Sequence, residues 1–332
     1  MKTIIYPILL ILTAVFSLNA YTQSYPELIK LSRAATEENY LETETKFNKT
    51  IKKHQKDPYV YCERYFLYRK FHKDDLALND ISKAIELMPS KYIFYESRID
   101  LLLEMDKTTE AWKDINTIYA MDATIPDAHY YRGYYFLMLD SLQLALKHYN
   151  KAVSIYESNH APCSIMSKCY RSRGRLNFAL GYLNEAIHDF TKSLAKVREN
   201  KVDNLLMHRA KAFISINDTK NGWQDIGAAF ASKPDTMTLA YLYALKGNSE
   251  EVNTLASFIV AHHTNSLHEH RSNVYNVACM YAILNNKTKA LEYLEKSLQL
   301  GFNKFNWIQV DYDMKNIKEL PEFITLINKY RK

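Results

Sequence analysis

Glycine is scarce in this chain: seven occur in 332 residues, and they do not cluster. A phosphate-cradling loop needs several glycines within a few residues so that backbone N–H groups can close on the anion, and none is present. No Gly-x-Ser-x-Gly elbow raises a nucleophilic serine. Proline is almost as rare, at eight. So few breakers suit an all-helical chain. The carboxylates include no pair that the sequence assigns to a shared pocket. The formal charge of +6 is mild for this length. It fits attraction to anionic partners and does not indicate nucleic acid.

Cysteine is limited to Cys62, Cys163, Cys169 and Cys279. Two readings stay open. Cys163 and Cys169 could be bridged, or all four could be small buried residues, as free cysteine often is. Long apolar runs are confined to the N-terminus, where Lys2 precedes an almost wholly apolar stretch from Ile4 to Phe16, followed by Ser17-Leu18-Asn19-Ala20. A positive start, a short apolar run and a small final residue describe a secretory signal peptide over residues 1–20. The run is shorter than the ~20 residues that span a bilayer, and Pro7 interrupts it. No cysteine lies near the end of the run, which argues against lipid anchoring. The expectation is an exported protein, periplasmic or secreted from a bacterial envelope, with no membrane span after cleavage.

What the chain does have is a period. Ala77, Ala111 and Ala145 lie 34 residues apart, and Ala186, Gly222 and Ala290 continue the series. Four residues after these anchors come Ile81, Ile115, Tyr149, Phe190, Ile226 and Leu294. Three further on come Ala84, Ile118, Ala152, Ser193, Ala229 and Ser297. That is helical spacing. Twelve residues before the anchors stand Tyr65, Ile99, Gly133, Gly174, Ala210 and Ala278, mostly small, as expected where two helices cross closely. Four earlier are Tyr61, Tyr95, His129, Tyr170, Leu206 and Val274. Each unit reads as an inner helix, a short turn and an outer helix, and such pairs bury a core only by stacking.

The pattern resembles the tetratricopeptide repeat family, with Tyr170, Gly174, Ala186, Phe190 and Ser193 filling five of its expected places. The resemblance covers residues 24–304 in about seven to eight units. It implies an all-α, right-handed superhelical solenoid of stacked helix-turn-helix repeats. Two departures stand out. The step from Ala145 to Ala186 is 41, placing about seven extra residues near Asn159–Pro162. The step from Gly222 to Ala290 is 68, with a degenerate unit over 237–264. Residues 305–332 read as a C-terminal cap, whose last helix carries Phe323, Leu326, Ile327 and Tyr330 on one face.

Arg64, Arg98, Arg132, Arg173 and Arg209 share the seventh place of their units. Sixteen residues on stand Asp80, Asp114, His148, Asp189 and Asp225. The spacing predicts an ion pair between inner and outer helix in the four Arg–Asp units, serving register rather than catalysis.

The resemblance also implies a concave groove lined by the second, fifth, ninth and twelfth places of the inner helices. Carried over, these give partner-binding residues Tyr59, Phe66, Arg69, Tyr130, Tyr134, Lys168, Arg171, Arg175 and Lys211. Aromatic anchors with interspersed cations suit a protein or peptide partner with acidic segments. The expected function is therefore a non-enzymatic protein- or peptide-binding scaffold, with no catalytic residues and no cofactor. The alternatives are an enzyme accessory or metal-binding protein using His262, His263, His268 and His270, or a self-associating structural module. The histidine spacing matches no established zinc pattern, and the oligomeric state is not encoded legibly.

Overall fold

The computed structural model describes residues 26–159, 166–196, 202–261 and 267–331. The chain divides into two compact units, 1–121 and 122–332. The described residues are helical, without strands. The first unit holds α1 (26–34), α2 (Tyr40–Lys53), α3 (Pro58–Lys70), α4 (Asp74–Leu87), α5 (Tyr92–Glu104) and α6 (Thr108–Met121). The second holds α7 (Pro126–Met138), α8 (Leu142–Asn159), α9 (Met166–Ala179), α10 (Leu183–Leu194), α11 (Asp203–Ser215), α12 (Thr219–Ala231), α13 (Thr236–Lys246), α14 (Ser249–Ala261), α15 (Leu267–Ile283), α16 (Lys287–Gln299), α17 (Phe305–Val310) and α18 (Pro321–Tyr330), with a 3₁₀ turn at Tyr312–Met314. Within each unit consecutive helices pack as antiparallel pairs, and the pairs stack on their neighbours.

The turn inside each pair is built on one left-handed residue, five before the anchor. His72, Asp106, Asp140, Gly181, Asn217, Gly247 and Asn285 all have φ between 52° and 82°. Asp and Asn tolerate this region better than most residues, and glycine adopts it freely. The N–H that follows closes back five residues, as Lys107 does on Leu102 (2.8 Å), satisfying a helix-end carbonyl. Gly247 identifies the degenerate unit. Its anchor is Val252, fully buried, and α13 and α14 form the pair the sequence expectation placed at 237–264. The extra residues of the 41-residue step are shared out. α8 is 18 residues long, against 14 for α4, and the remainder falls outside the described residues.

The eighth and twenty-fourth places, sixteen residues apart, meet inside each pair. A Cβ on Gly133 would stand 2.7 Å from the Tyr149 ring, and one on Gly174 2.9 Å from Phe190. Tyr149 and Phe190 are fully buried. Tyr65 and Ile99 fill the eighth place with larger side chains, opposite Ile81 and Ile115, and all four are buried. The place is therefore not confined to small residues, and the Tyr65 hydroxyl donates to the Ser97 carbonyl of the next pair at 2.8 Å.

Beside that lock lies the ion pair. Arg64 donates to Asp80, Arg98 to Asp114, Arg173 to Asp189 and Arg209 to Asp225, each through Nε and NH2 at 2.6–2.9 Å. All four predicted pairs are present. The aspartates are buried and the arginines partly so. Burial outweighs the arginine's pull at Asp80 and Asp189, whose carboxyls lie above the usual range. The pairs therefore set register more than they add net stability, yet losing one partner strands a buried charge. Asp189→Ala is expected to cost about 3–5 kcal/mol in denaturant unfolding, whereas the Arg173→Met/Asp189→Leu double variant should cost much less. Equal losses would show that the charges are solvated.

The Arg132 unit differs. Its His148 ring stacks on Phe136, and His148 Nδ1 lies 3.3 Å from His129 Nδ1; His129 Nε2 is 3.1 Å from the Ala123 carbonyl. Burial, then neighbouring cations, lowers both imidazoles, and His148 falls to about 4. The folded state thus holds fewer protons than the unfolded chain below the ordinary histidine range, so stability is lost as pH falls from about 6.5 towards 4. His148→Asp completes the ladder and should flatten that part of the melting temperature against pH profile. An unchanged slope would mean that these histidines do not govern it.

Candidate functional site

In the first unit, the inner helices α3 and α5 carry Tyr59, Phe66 and Arg69. Tyr59 is half-buried, edge-on to Phe94 at 5.5 Å, while Phe66 is exposed. Arg69 is committed within its own unit, to Asp74 at 2.7 Å and to Glu104.

The second unit presents a fuller surface. Its inner helices are α7, α9, α11, α13 and α15, with α11, α13 and α15 packed side by side. On α7, Tyr130 is buried and Tyr134 half-buried, their rings stacked with centroids 6.5 Å apart. On α9, Lys168 and Arg175 are exposed and Arg171 is half-buried. Arg171 and Arg175 are one turn apart, and neither forms an ion pair or hydrogen bond with a described residue. Burial, then the charge of Arg175, lowers the Arg171 guanidinium. On α11, His208 stacks on Phe190 with centroids 5.6 Å apart, and neither of its ring nitrogens has a hydrogen-bond partner among the described residues. Burial, followed by the charges of Lys211, Arg175 and Arg171, keeps its imidazole neutral, well below the ordinary range.

Two expectations need correction. Lys211, read as a groove cation, is not open to a partner. It is 5% exposed, ion-paired with Asp313, and lies over the rings of Phe178 (5.1 Å) and Tyr241 (4.7 Å). The cause is the second correction. Residues 305–332 do not act wholly as an end cap. α18 does lie against α16, with Lys329 on Glu295 at 2.7 Å. Residues 302–316, however, cross the inner helices as a strap. The N–H groups of Asn306 and Trp307 donate to the Asp140 carboxylate (2.6 and 2.9 Å), and Lys304 Nζ donates to the Met138 carbonyl. Tyr312 meets Phe178 edge-on at 5.2 Å. Tyr275 OH and Trp307 Nε1 donate to Asp311 Oδ2 at 2.8 and 3.1 Å, and Asn316 Nδ2 donates to the Ala282 carbonyl at 2.9 Å. Nothing in the sequence marks this crossing, because Asp140 occupies a turn place that other units fill with His, Asp, Asn or Gly.

Strap and inner helices enclose a cavity of about 280 Å³ whose lining includes Arg175, His208, Lys211, Tyr241, Tyr275 and Trp307. Burial, opposed by Lys211, raises Asp313 to about 6.

Of the histidine cluster, His262 and His263 and the side chain of His268 lie outside the described residues, and His270 is buried on α15. Among the described residues no group of three His, Cys, Asp or Glu side chains could hold a metal, and no helix is long and apolar enough to cross a membrane. Cys163 also lies outside the described residues, so the Cys163–Cys169 alternative stays open; Cys169 is buried. Burial pushes the Cys62 thiol up to about 12 and raises Cys279 as well, so neither is a thiolate nucleophile.

No family model and no curated protein matches this sequence. Solved structures do match. The chain is similar to the APC/C hetero-tetramer Cut9–Hcn1 at TM-score 0.52 and 13% identity, covering 76% of this chain and 45% of that one. A tetratricopeptide repeat protein from Parabacteroides merdae aligns at TM-score 0.47 and 19% identity over 89% and 98% of the two chains. YrrB, described as a TPR protein with an unusual peptide-binding site, aligns at TM-score 0.38 and 20% identity over 60% and 97%. The fold is the tetratricopeptide repeat fold.

The strap makes one clear demand. Lys211→Met leaves Asp313 buried without its cation, so its carboxyl rises further and the folded state takes up a proton as pH falls. The variant should melt several degrees below the parent at pH 8 and close to it at pH 5, in matched thermal scans. A pH-independent deficit would assign the loss to packing instead.

Proposed function

We propose that this chain is an exported, non-enzymatic scaffold that holds a protein or peptide carrying acidic groups against inner-helix surfaces. Helix-pair arrays present long binding faces of this kind. The observation that carries the reading is the juxtaposition on the second unit: half-buried Tyr134 on α7, stacked on the buried Tyr130, and on α9 the cations Arg171 and Arg175, which no carboxylate among the described residues neutralises. Rigid aromatics supply area at little entropic cost, and guanidinium groups supply directed, charge-assisted bonds. Tyr59 and Phe66 offer a separate aromatic surface on the first unit, where Arg69 is already neutralised. Export rests on the N-terminal sequence, with cleavage after Ala20.

The test is site-specific photo-crosslinking in the native cell, with the probe replacing Tyr134 or the exposed outer-helix residue Trp223. A discrete partner captured from position 134 and lost with Arg171→Glu is the expected result. Equal capture from both positions would refute the groove, and capture of only the chain itself would favour self-association. Cell fractionation with N-terminal sequencing tests export. Retention in the cytoplasm with residues 1–20 intact would refute it.

A further inference from the structure

Beneath the strap the packing is open. Close-packed interiors leave few voids larger than a water molecule, yet about 280 Å³ lies between the strap and helices α7, α9, α11, α13 and α15. The strap rests on two polar supports. At one end Lys304 Nζ donates to the Met138 carbonyl, and Asp140 accepts from the N–H groups of Asn306 and Trp307. At the other end Asp313 pairs with Lys211. Met138, Lys304, Lys211 and Asp313 all line the cavity, so the supports stand in its walls and hold the strap off the helices between them.

Five rings line this space: Phe178, Tyr241 and Tyr275 from the helices, Phe302 and Trp307 from the strap. Their polar atoms are engaged within the wall. Tyr275 OH and Trp307 Nε1 donate to Asp311, and Tyr241 OH donates to Asn276 Oδ1 at 3.4 Å. The wall's buried charges are answered from within as well, Lys211 by Asp313 and Asp311 by the two donors just named. What remains towards the cavity is ring carbon, with the adaptable thioethers of Met138, Met207 and Met237 beside it. His208 adds one polar edge. Its ring face stacks on Phe190, and burial followed by neighbouring cations keeps the imidazole neutral, able to donate one hydrogen bond and accept another. Arg175 is exposed and belongs to the mouth.

An apolar cavity of about 150 Å³ takes one benzene ring. This one is nearly twice as large. We propose that the strap-roofed cavity is a binding site for an uncharged, flat aromatic molecule of about two fused rings, carrying one hydrogen-bonding group that His208 meets. Rings on both the helices and the strap offer it face and edge contacts. An ion would lose its hydration among charges that are already paired, and an extended peptide would need the path the strap takes. The site uses neither Tyr134 nor Arg171, so it stands or falls independently of the scaffold reading.

A fluorinated indole is titrated into the full chain and followed by fluorine NMR. A saturable shift of its resonance is expected, with nuclear Overhauser contacts from the fluorine to the Trp307 and Phe178 rings. Unlabelled indole should displace it. Displacement by n-octanol should be roughly tenfold weaker or less, since an alkyl chain gains the buried area without the ring contacts. Met237→Trp puts a larger side chain into the space and should weaken binding roughly tenfold or more. If that variant melts well below the parent, the Overhauser contacts in the parent decide the location instead. No saturable shift overturns the site, and so does binding that survives Met237→Trp in a folded protein or that shows no contact with Trp307. Equal displacement by indole and octanol overturns the aromatic class.

Discussion

Everything in this fold depends on one contact, the meeting of an inner helix with its outer partner at a spacing of sixteen residues. Two devices sit side by side there. One is steric: Gly133 accepts Tyr149 and Gly174 accepts Phe190, at distances that leave no room for a side chain. The other is electrostatic: in four units the residue before the eighth place joins the residue before the twenty-fourth, as Arg173 joins Asp189. The steric device supplies the apolar burial that stabilises the pair. The electrostatic device penalises any slip of one helix along the other, since a displaced pair would leave two desolvated charges apart. Because the two are adjacent in sequence, a single register satisfies both.

That coupling explains what the sequence revealed. Spacing of 16 and 34 is recorded in residue identity, so the ladder could be read without coordinates in the four units where Asp follows Arg. The steric rule was less legible: Tyr65 and Ile99 look like violations at the eighth place, yet both are buried in units whose ladder pair is intact. The unit at α13 and α14 lacks both the ladder and an alanine anchor, and its register shows only in the left-handed turn residue Gly247. Of the groove residues, the family places found Tyr134, Arg171 and Arg175 on an inner surface. They misjudged Lys211, because what covers it comes from about a hundred residues away.

The strap is illegible for a physical reason. A repeat array is close to one-dimensional, since each unit touches only its neighbours, and its pattern records only those contacts. Asp140 bonding Asn306 and Trp307 joins residues more than 160 apart. It occurs once, so no periodicity can announce it. Its consequence is cooperative. In an open array the terminal repeats fray independently. Here the α7–α8 turn and the segment after α16 share hydrogen bonds, and Ile308, Met314 and Ile317 of that segment are fully buried in one core with α11 to α16. Opening either end of the second unit exposes part of the other.

On the proposed reading, the same tie limits where a partner can bind. By filling the face of α11 to α15 the strap removes Lys211 from use and leaves α7 and α9 as the charged, aromatic part of the inner surface. If the chain needed only stability there, an aspartate near Arg171 or Arg175 would serve, as it does beside Arg173 two residues away. Arg173 turns to the outer helix and is neutralised; its neighbours Arg171 and Arg175 have no ion-pair partner among the described residues. Two arginines separated by one turn repel each other, and a neutral histidine beside them has its ordinary affinity for protons suppressed by their field. That arrangement is poor packing, and on the proposed reading an acidic partner supplies the charge it lacks.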